Sequence, residues 1–175
     1  AVRLDGVAAG AVIHNFYVPA GGDEPDPAVN DKFAHKLGFL DEMRDWFAGM
    51  DSAAEPLLLV GDLNIAPLED DVWSHRQLLK VVSHTPVEVE KLGEVMAAGK
   101  WIDIMRQITP APEKLFSWWS YRARNWQASN RGRRLDHVWA TPALAPRARG
   151  MEVVLEARSW ERPSDHAPVI ADFDL

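Results

Sequence analysis

The stretch LLLVGDLNIAP, Leu57 to Pro67, decides how the fold is interpreted. Its four apolar residues predict a strand that is buried on both faces. Gly61 follows directly, and then an aspartate and an asparagine two positions apart, Asp62 and Asn64. Taken alone, these two polar residues would be assigned to turn capping, the commonest use of Asp and Asn after a strand. The stretch therefore predicts a core strand that ends in a polar loop.

Regular elements are also predicted upstream of this strand. GAVIHNFYVP (residues 10–19) is rich in β-branched and aromatic residues and predicts a strand that runs into a loop at Pro19. DKFAHKLGFLDEMRDWFAGM (residues 31–50) has helical spacing of apolar residues, and Asn30 or Asp31 is a suitable N-cap. The expected apolar face of this helix consists of Phe33, Leu37, Leu40, either Met43 or Arg44, and Phe47.

Downstream, the pattern favours a polar loop to about Ser83, in which LEDDVW (68–73) is interpreted as solvated, and then a helix near residues 87–98. Asp103 is expected to cap or bridge locally. Strands are predicted at RLDHVWAT (134–141), GMEVVLEA (150–157) and APVIADFDL (167–175). Alternating helices and strands favour parallel pairing, but three strands with short connections require antiparallel pairing too. The expected fold class is α/β (α+β), with mixed sheets and helices outside.

Composition limits the class of protein. The 175 residues are 47% hydrophobic, so we expect one domain, residues 1–175, with one core. No apolar run approaches the roughly 20 residues of a membrane span, and the basic-then-apolar order of a signal peptide is missing. Without cysteine, a bound metal must use oxygen or imidazole ligands, and a reducing cytoplasm is expected. The first residues lack an initiator Met and begin as if inside a sheet, so we expect a fragment without its N-terminal strands.

The net charge of −7 argues against a nucleic-acid partner only as an average. Residues 114–135, KLFSWWSYRARNWQASNRGRRL, contain no acidic residue, and local potential steers a polyanion. Aromatic residues alternate with the cations; a core strand with solvated arginines is the ordinary interpretation, and it is favoured for Phe116 and Trp119. Such a run of cations without acidic neighbours nevertheless predicts an external anion. The cations are Lys114, Arg122, Arg124, Arg131, Arg133 and Arg134.

Several polar or aromatic residues are predicted at strand ends. Singly, each has an ordinary explanation: a tyrosine in the core, a surface histidine, or an aspartate that is paired or wet. Strand ends of one sheet edge converge, however, so together they predict one site. Carboxylates, an amide and an imidazole without a thiol suit a hard cation such as Mg²⁺ or Mn²⁺. The residues are Tyr17, Asp62, Asn64, Asp136, Asp165 and His166.

Five ordered motifs carry a family resemblance: HNFYVP, GDLNIAP, FSWWSYR, NRGRRLDHVWAT and PSDHAPV. The sequence resembles the exonuclease III family of DNA-repair nucleases, within the endonuclease/exonuclease/phosphatase superfamily. The resemblance runs over essentially the whole chain but covers the later two-thirds of a family domain. It implies mixed β-sheets packed face to face with helices outside, a four-layer α/β sandwich. The family's opening strands, with an early asparagine and a metal-binding glutamate, are not in this sequence.

The resemblance also implies residue roles. Asp62 would activate or orient the attacking water, and Asn64 would hold that water or the phosphate. Asp136 would hold His166, and Tyr17 would touch the scissile phosphate or the leaving group. Asp62, Asn64 and Asp165 would contribute to the metal site. The expected substrate-binding residues are Trp118, Arg122 and Asn130.

The function implied is a Mg²⁺-dependent (or Mn²⁺-dependent) hydrolase of double-stranded DNA. It would act as a 3′-to-5′ exonuclease and cut at abasic sites, leaving a 3′-hydroxyl, as a cytoplasmic monomer with no membrane partner. One departure is Arg133, where some relatives have an aromatic residue. Two alternatives remain: a superfamily phosphodiesterase or phosphatase acting on lipid or inositol phosphates, and an inactive DNA-binding fragment.

Overall fold

The computed structural model describes residues 1–6, 10–51, 54–123 and 125–175. Within these ranges the strands form one five-stranded sheet and two two-stranded sheets. In chain order the strands are β1 (Val2–Arg3), β2 (Val12–Tyr17), β3 (Leu57–Asp62), β4 (Ile102–Asp103), β5 (Trp118–Trp119), β6 (Gly132–Arg133), β7 (Asp136–Ala140), β8 (Ala148–Val153) and β9 (Val169–Phe173).

The helices of the described ranges are two long ones and three of four or five residues. None of them is long and apolar enough to cross a membrane. In chain order they are α1 (Asp31–Ala48), α2 (His75–Leu78), α3 (Pro86–Ala98), α4 (Ile104–Ile108) and α5 (Trp126–Ser129).

The five-stranded sheet has the order β1-β2-β3-β7-β4. Strands β2 and β3 are parallel, and the other neighbours are antiparallel, so the predicted mixed sheet is confirmed. The register places Tyr17 opposite Asp62, and Asp62 opposite Asp136. Three of the predicted site residues therefore lie side by side where their strands meet one edge of the sheet.

The apolar side chains of β3 serve two layers. Leu57 and Leu59 pack in a cluster with α1 and α3, whereas Leu58 and Val60 pack against a second cluster that includes β8 and β9. Because successive side chains of a strand point to opposite faces, the run of four apolar residues is buried on both sides. The predicted face-to-face packing of sheets with helices outside is confirmed, and α1 and α3 pack against the larger sheet.

Helix α1 begins where it was predicted. The Asn30 side chain accepts a hydrogen bond from the backbone N–H of Lys32, as an N-cap does. Its buried face contains Met43 rather than Arg44, and the fully buried residue beside Phe33 is Lys36 rather than Leu37. Leu37 is half-buried. A buried lysine requires a charged partner, and Lys36 forms an ion pair with Glu88.

The loop predicted between β3 and α3 contains more structure than expected. A 3₁₀ turn (Glu69–Asp71) and helix α2 interrupt it, and Asp71 is fully buried. The interpretation of LEDDVW as a solvated loop is therefore wrong for Asp71. Its carboxylate forms a two-pronged ion pair with Arg134, at 2.7 and 2.8 Å, and a second ion pair with Arg106 at 2.6 Å.

Two predicted strand limits shift. The strand expected at residues 150–157 begins two residues earlier, as β8, and ends at Val153, after which residues 155–159 form a 3₁₀ turn.

Asp103 caps α4 by accepting the N–H of Arg106, and it also pairs with Arg134 at 2.8 Å. The local role predicted for Asp103 is confirmed, and its ion pair extends that role across the core.

Candidate active site

The GDLN loop presents its polar groups in a fixed geometry. Gly61 has φ +133°, and a Cβ there would overlap the carbonyl oxygen of Phe16, so only glycine fits. The carboxylate of Asp62 accepts the backbone N–H of Asn64 at 2.9 Å and its side-chain amide at 3.0 Å. That amide also donates to the carbonyl of Val18. Asn64 Oδ1 is consequently the end of the amide that remains for a ligand.

A buried lysine supports this loop from below. Lys36 donates to the backbone carbonyl of Asn64 at 2.8 Å and forms an ion pair with Glu88 at 2.5 Å, and neither side chain is exposed. Glu88 in turn accepts the backbone N–H groups of Ser83 and Thr85. The pair therefore ties helices α1 and α3 to the loop that carries Asn64.

His166 is held by Asp136. Its Nδ1 lies 2.8 Å from Asp136 Oδ2, and its Nε2 lies 3.8 Å from Asp62 Oδ2. Because an ionised carboxylate only accepts, Nδ1 carries the donated proton and Nε2 faces Asp62. This is the arrangement in which a carboxylate fixes the tautomer of an imidazole beside a reacting group.

The pKa values of Asp62 and His166 are both raised, but for different reasons. The pKa of Asp62 is raised to about 6, because burial, the largest cause, and the charge of Asp136 together outweigh the Asn64 N–H, His166 and Lys36, which lower it. Burial lowers the pKa of His166, but the hydrogen bond and charge of Asp136 outweigh burial, so the pKa is raised above its ordinary value. A desolvated carboxylate beside a second carboxylate favours a bound cation.

Replacing Asp62 by asparagine is expected to stabilise the fold above pH 6. A raised carboxyl pKa means that the folded state binds more protons than the unfolded state between pH 3.8 and about 6, so stability falls as the pH rises through that window. The amide of the Asp62→Asn variant would not titrate, and the variant's advantage should grow to about 1–3 kcal/mol.

Urea unfolding of both proteins between pH 4 and pH 8, without divalent cations, measures this difference. Asp45→Asn is the control, because the Asp45 side chain is 71% exposed on α1 and lies outside the cavity lining. An Asp62→Asn advantage that does not vary with pH would contradict the assigned burial cost.

The site opens into a cavity of about 750 Å³. Trp118 forms part of its wall and donates its indole N–H to Asp165 Oδ2 at 2.9 Å. The backbone of Trp118 pairs with Arg133 of β6 on one side and with His166 through an isolated β-bridge on the other. Predicted site residues that line the cavity are Tyr17, Asp62, Asn64, Trp118, Arg122, Asp165 and His166.

The donor set suits a hard divalent cation. Within the described part of the chain, ligand atoms of Asp62, Asp136 and His166 lie within 4.8 Å of one another. The Asp136–His166 hydrogen bond occupies His166 Nδ1 and one oxygen of Asp136, and oxygens of Asn64 and Asp165 line the same cavity as Asp62. Mg²⁺ is held by few carboxylates and completes its shell with water and phosphate oxygens. These residues therefore fit a hard divalent cation such as Mg²⁺ or Mn²⁺.

The cations of residues 114–135 differ in burial and in their partners. Arg134 is fully buried and paired with Asp71 and Asp103, which corrects the expectation that its cations lack acidic partners. Its acidic partners come from other elements, so the local sequence could not show them. Arg122 is exposed at the cavity, and Arg124 lies outside the described residues. Phe116 and Trp119 are buried, as expected.

Asn130 is placed differently from Arg122. It ends helix α5 in the left-handed region, and its Oδ1 accepts the indole N–H of Trp119 at 3.0 Å. The described residues that line the cavity include Arg122 but not Asn130. Asn130 therefore orients a buried tryptophan, and its role in substrate binding stays a prediction.

Residues not foreseen from the sequence also line the cavity. Trp73 does so, with the guanidinium of Arg131 4.7 Å from its ring centroid. Ser83 does so from the loop before α3. Ser117 Oγ, behind the wall, accepts the N–H groups of Leu135 and Asp136 and so fixes the start of β7. Only Ser117 lies within one of the five motifs.

Comparisons with known proteins find matches over nearly the whole chain. The profile of the "Endonuclease/Exonuclease/phosphatase family" matches residues 2–166. An exodeoxyribonuclease III of Haemophilus influenzae is 30% identical over 165 residues, which are 91% of this chain and 60% of that relative. The chain thus spans less than two thirds of the relative that it resembles.

Two solved structures share the fold. An AP endonuclease from Archaeoglobus fulgidus superposes with a TM-score of 0.87 at 29% identity, over 95% of this chain and 63% of that one. A 3′ phosphatase from Neisseria, solved bound to a product DNA hairpin, superposes with a TM-score of 0.83 at 29% identity, over 93% and 61%. Both similarities extend over nearly all of the present chain.

Proposed function

The chain belongs to the endonuclease/exonuclease/phosphatase family, in the exonuclease III branch, and from this membership we propose that it hydrolyses phosphodiesters of double-stranded DNA with Mg²⁺. The proposed substrates are abasic sites and 3′ ends, and the proposed product end is a 3′-hydroxyl. Residues 1–175 would supply the C-terminal two-thirds of one family domain. We also propose that it works as a monomer in the cytoplasm, a reducing compartment that suits a chain without cysteine.

The observation that carries the proposal is the Asp136–His166 pair facing Asp62 across 3.8 Å in an open cavity. Hydrolysis of a phosphodiester requires a positioned water, neutralised phosphoryl oxygens and a protonated leaving group. Asp62 would orient the water, and an imidazolium at His166 would stabilise the developing charge. In the proposed step, water attacks phosphorus, the P–O3′ bond breaks and the 3′-oxygen takes a proton.

Other residues would orient the DNA. Tyr17 is 67% exposed at the cavity rim, so its phenol is free to reach a phosphate or leaving oxygen. A Mg²⁺ ion held by Asp62, Asn64 and Asp165 would supply Lewis-acid stabilisation of phosphate charge. Trp118 would contact the nucleotide, because it lines the cavity together with His166.

A substrate comparison tests the proposal. The full-length protein with Mg²⁺ is offered a duplex with one abasic site and, separately, an inositol phosphate. Incision of the duplex with a 3′-hydroxyl product is expected. Turnover of only the inositol phosphate would favour the lipid-headgroup alternative, and DNA binding without turnover of either substrate would favour an inactive DNA-binding protein.

Arg122→Ala is expected to weaken DNA binding and to lower the slope of log affinity against log salt by about one. Arg122 is exposed at the cavity, where a DNA phosphate would release its counterion. Fluorescence anisotropy across a salt series measures the slope. Arg149→Ala is the matched control, because Arg149 is on β8, pairs with Asp174 and lies outside the cavity lining. An unchanged slope in Arg122→Ala would remove this residue from the interface.

A further inference from the structure

Arg133 and His166 lie on opposite sides of Trp118. Trp118 is paired with Arg133 between β5 and β6 and with His166 through an isolated β-bridge, and all three residues line the cavity. Directly opposed residues of a sheet place their side chains on the same face. At a strand spacing of about 4.7–4.9 Å, the backbones of Arg133 and His166 are about 10 Å apart. The cavity wall thus carries the imidazole of His166 and the guanidinium of Arg133, with Trp118 between them.

The guanidinium of Arg133 is held without a counter-charge. Its Nη1 donates to the carbonyl of Val82 at 3.1 Å and to Ser83 Oγ at 2.8 Å, and its Cζ lies 5.2 Å from the Trp118 ring centroid. Its Nε has no hydrogen-bond partner, and no carboxylate of the described residues forms an ion pair with it. Neutral oxygens therefore fix its position and leave its charge uncompensated.

The neighbouring Arg134 shows the contrast. It donates through Nε and Nη2 to the two oxygens of Asp71 and pairs with Asp103 as well. Arg133 has only the longer-range influence of Glu88, which is itself paired with Lys36. Burial consequently lowers the pKa of Arg133, while its charge remains. A partly desolvated cation without an anion is costly unless a ligand supplies one.

The tryptophans of the wall reinforce this polarity. Arg133 covers Trp118, and Arg131 covers Trp73, so each ring has a guanidinium over one face. An aromatic wall would accept a bare sugar by apolar contact. This wall instead presents fixed positive charge toward the space beside the reacting phosphate.

We propose that Arg133 is a specificity-determining residue that binds a second oxyanion of the substrate, adjacent to the phosphate hydrolysed at Asp62 and His166. This inference rests on the proposed function and adds to it the residue that recognises the group beyond the reacting phosphate. One source of the oxyanion is a carboxylate on a 3′-blocking fragment, as in a phosphoglycolate end. The other source is the next backbone phosphate beyond an abasic sugar. For the blocked end, water attacks phosphorus, the P–O3′ bond breaks, the 3′-oxygen is protonated and phosphoglycolate leaves.

Three duplexes separate the sources: one with a 3′-phosphoglycolate end, one with an internal abasic site, and one with a 3′-phosphate. The last has no second oxyanion beyond the reacting phosphate. Full-length wild type, Arg133→Met and Arg133→Lys are compared by anisotropy in EDTA, where no turnover occurs, and then by kcat/KM with Mg²⁺. Ser83→Ala is the control, because it removes one contact of Arg133 and keeps the charge.

Arg133→Met is expected to weaken binding of the phosphoglycolate or abasic duplex about 10- to 100-fold, the effect of a charged hydrogen bond, and to leave the 3′-phosphate duplex nearly unchanged. A selective loss on the phosphoglycolate duplex identifies the carboxylate, and a selective loss on the abasic duplex identifies the next phosphate. Arg133→Lys should retain part of the preference. An equal effect on all three duplexes, or no effect, overturns the proposal. Because binding is measured without turnover, that result is distinct from a protein that binds but does not hydrolyse DNA.

Discussion

His166→Gln is expected to lower kcat for abasic-site incision by about 10²–10⁴-fold, the range of a lost acid–base group. The imidazole is positioned by Asp136 at 2.8 Å and faces Asp62, so its loss removes the group proposed to stabilise developing charge. DNA affinity should change little, because His166 is one of many cavity contacts. Single-turnover incision with saturating protein measures the chemical step separately from binding.

His35→Gln is the matched control, since His35 is on α1 and outside the cavity lining. Residues that act as a unit are non-additive, so Asp136→Asn combined with His166→Gln should be scarcely slower than His166→Gln alone. Multiplied effects in the double variant would show that Asp136 does not act through His166. Normal cleavage by His166→Gln would remove this histidine from the mechanism.

Asp71→Asn is expected to destabilise the fold by about 3–5 kcal/mol, the cost of leaving buried charges without their partner. Asp71 is fully buried and neutralises Arg134 and Arg106 at once. Asp103 remains beside Arg134 but cannot reproduce the two-pronged contact. Urea unfolding of the purified variant gives the free energy of unfolding directly.

The neighbouring Asp70→Asn provides the control. Asp70 pairs at 3.2 Å with Lys114, whose side chain is 47% exposed, so its loss should cost about 0–1 kcal/mol. Equal stability of the two variants would show that the buried network contributes no more than a surface pair. The assignment of Asp71 as the organising charge of this core would then be wrong.

The order and type of the main elements could be predicted because local signals were strong. Asn30 caps α1, the backbone at position 61 accepts only glycine, and successive side chains of β3 pack in two different apolar clusters. The short helix α2 gave no comparable periodicity. Its four residues are too few for a 3.6-residue period to be seen.

The convergence of the strand ends was also predictable, since Tyr17, Asp62 and Asp136 occupy one register line. The buried charges were not. Lys36, Asp71 and Arg134 find their partners on distant elements of the chain, and no local pattern encodes such pairs. Arg133 stood out in the sequence only as a departure from an aromatic; its uncompensated charge required the placement of Ser83, Val82 and Trp118.

Crystallography of the full-length protein with Mn²⁺ and a duplex carrying an abasic site tests the central claim most directly. The predicted result is an anomalous peak within coordination distance of Asp62 and Asn64 side-chain oxygens and of a DNA phosphate oxygen, with His166 facing that phosphate. A DNA phosphate or a metal peak located away from these residues would contradict the account.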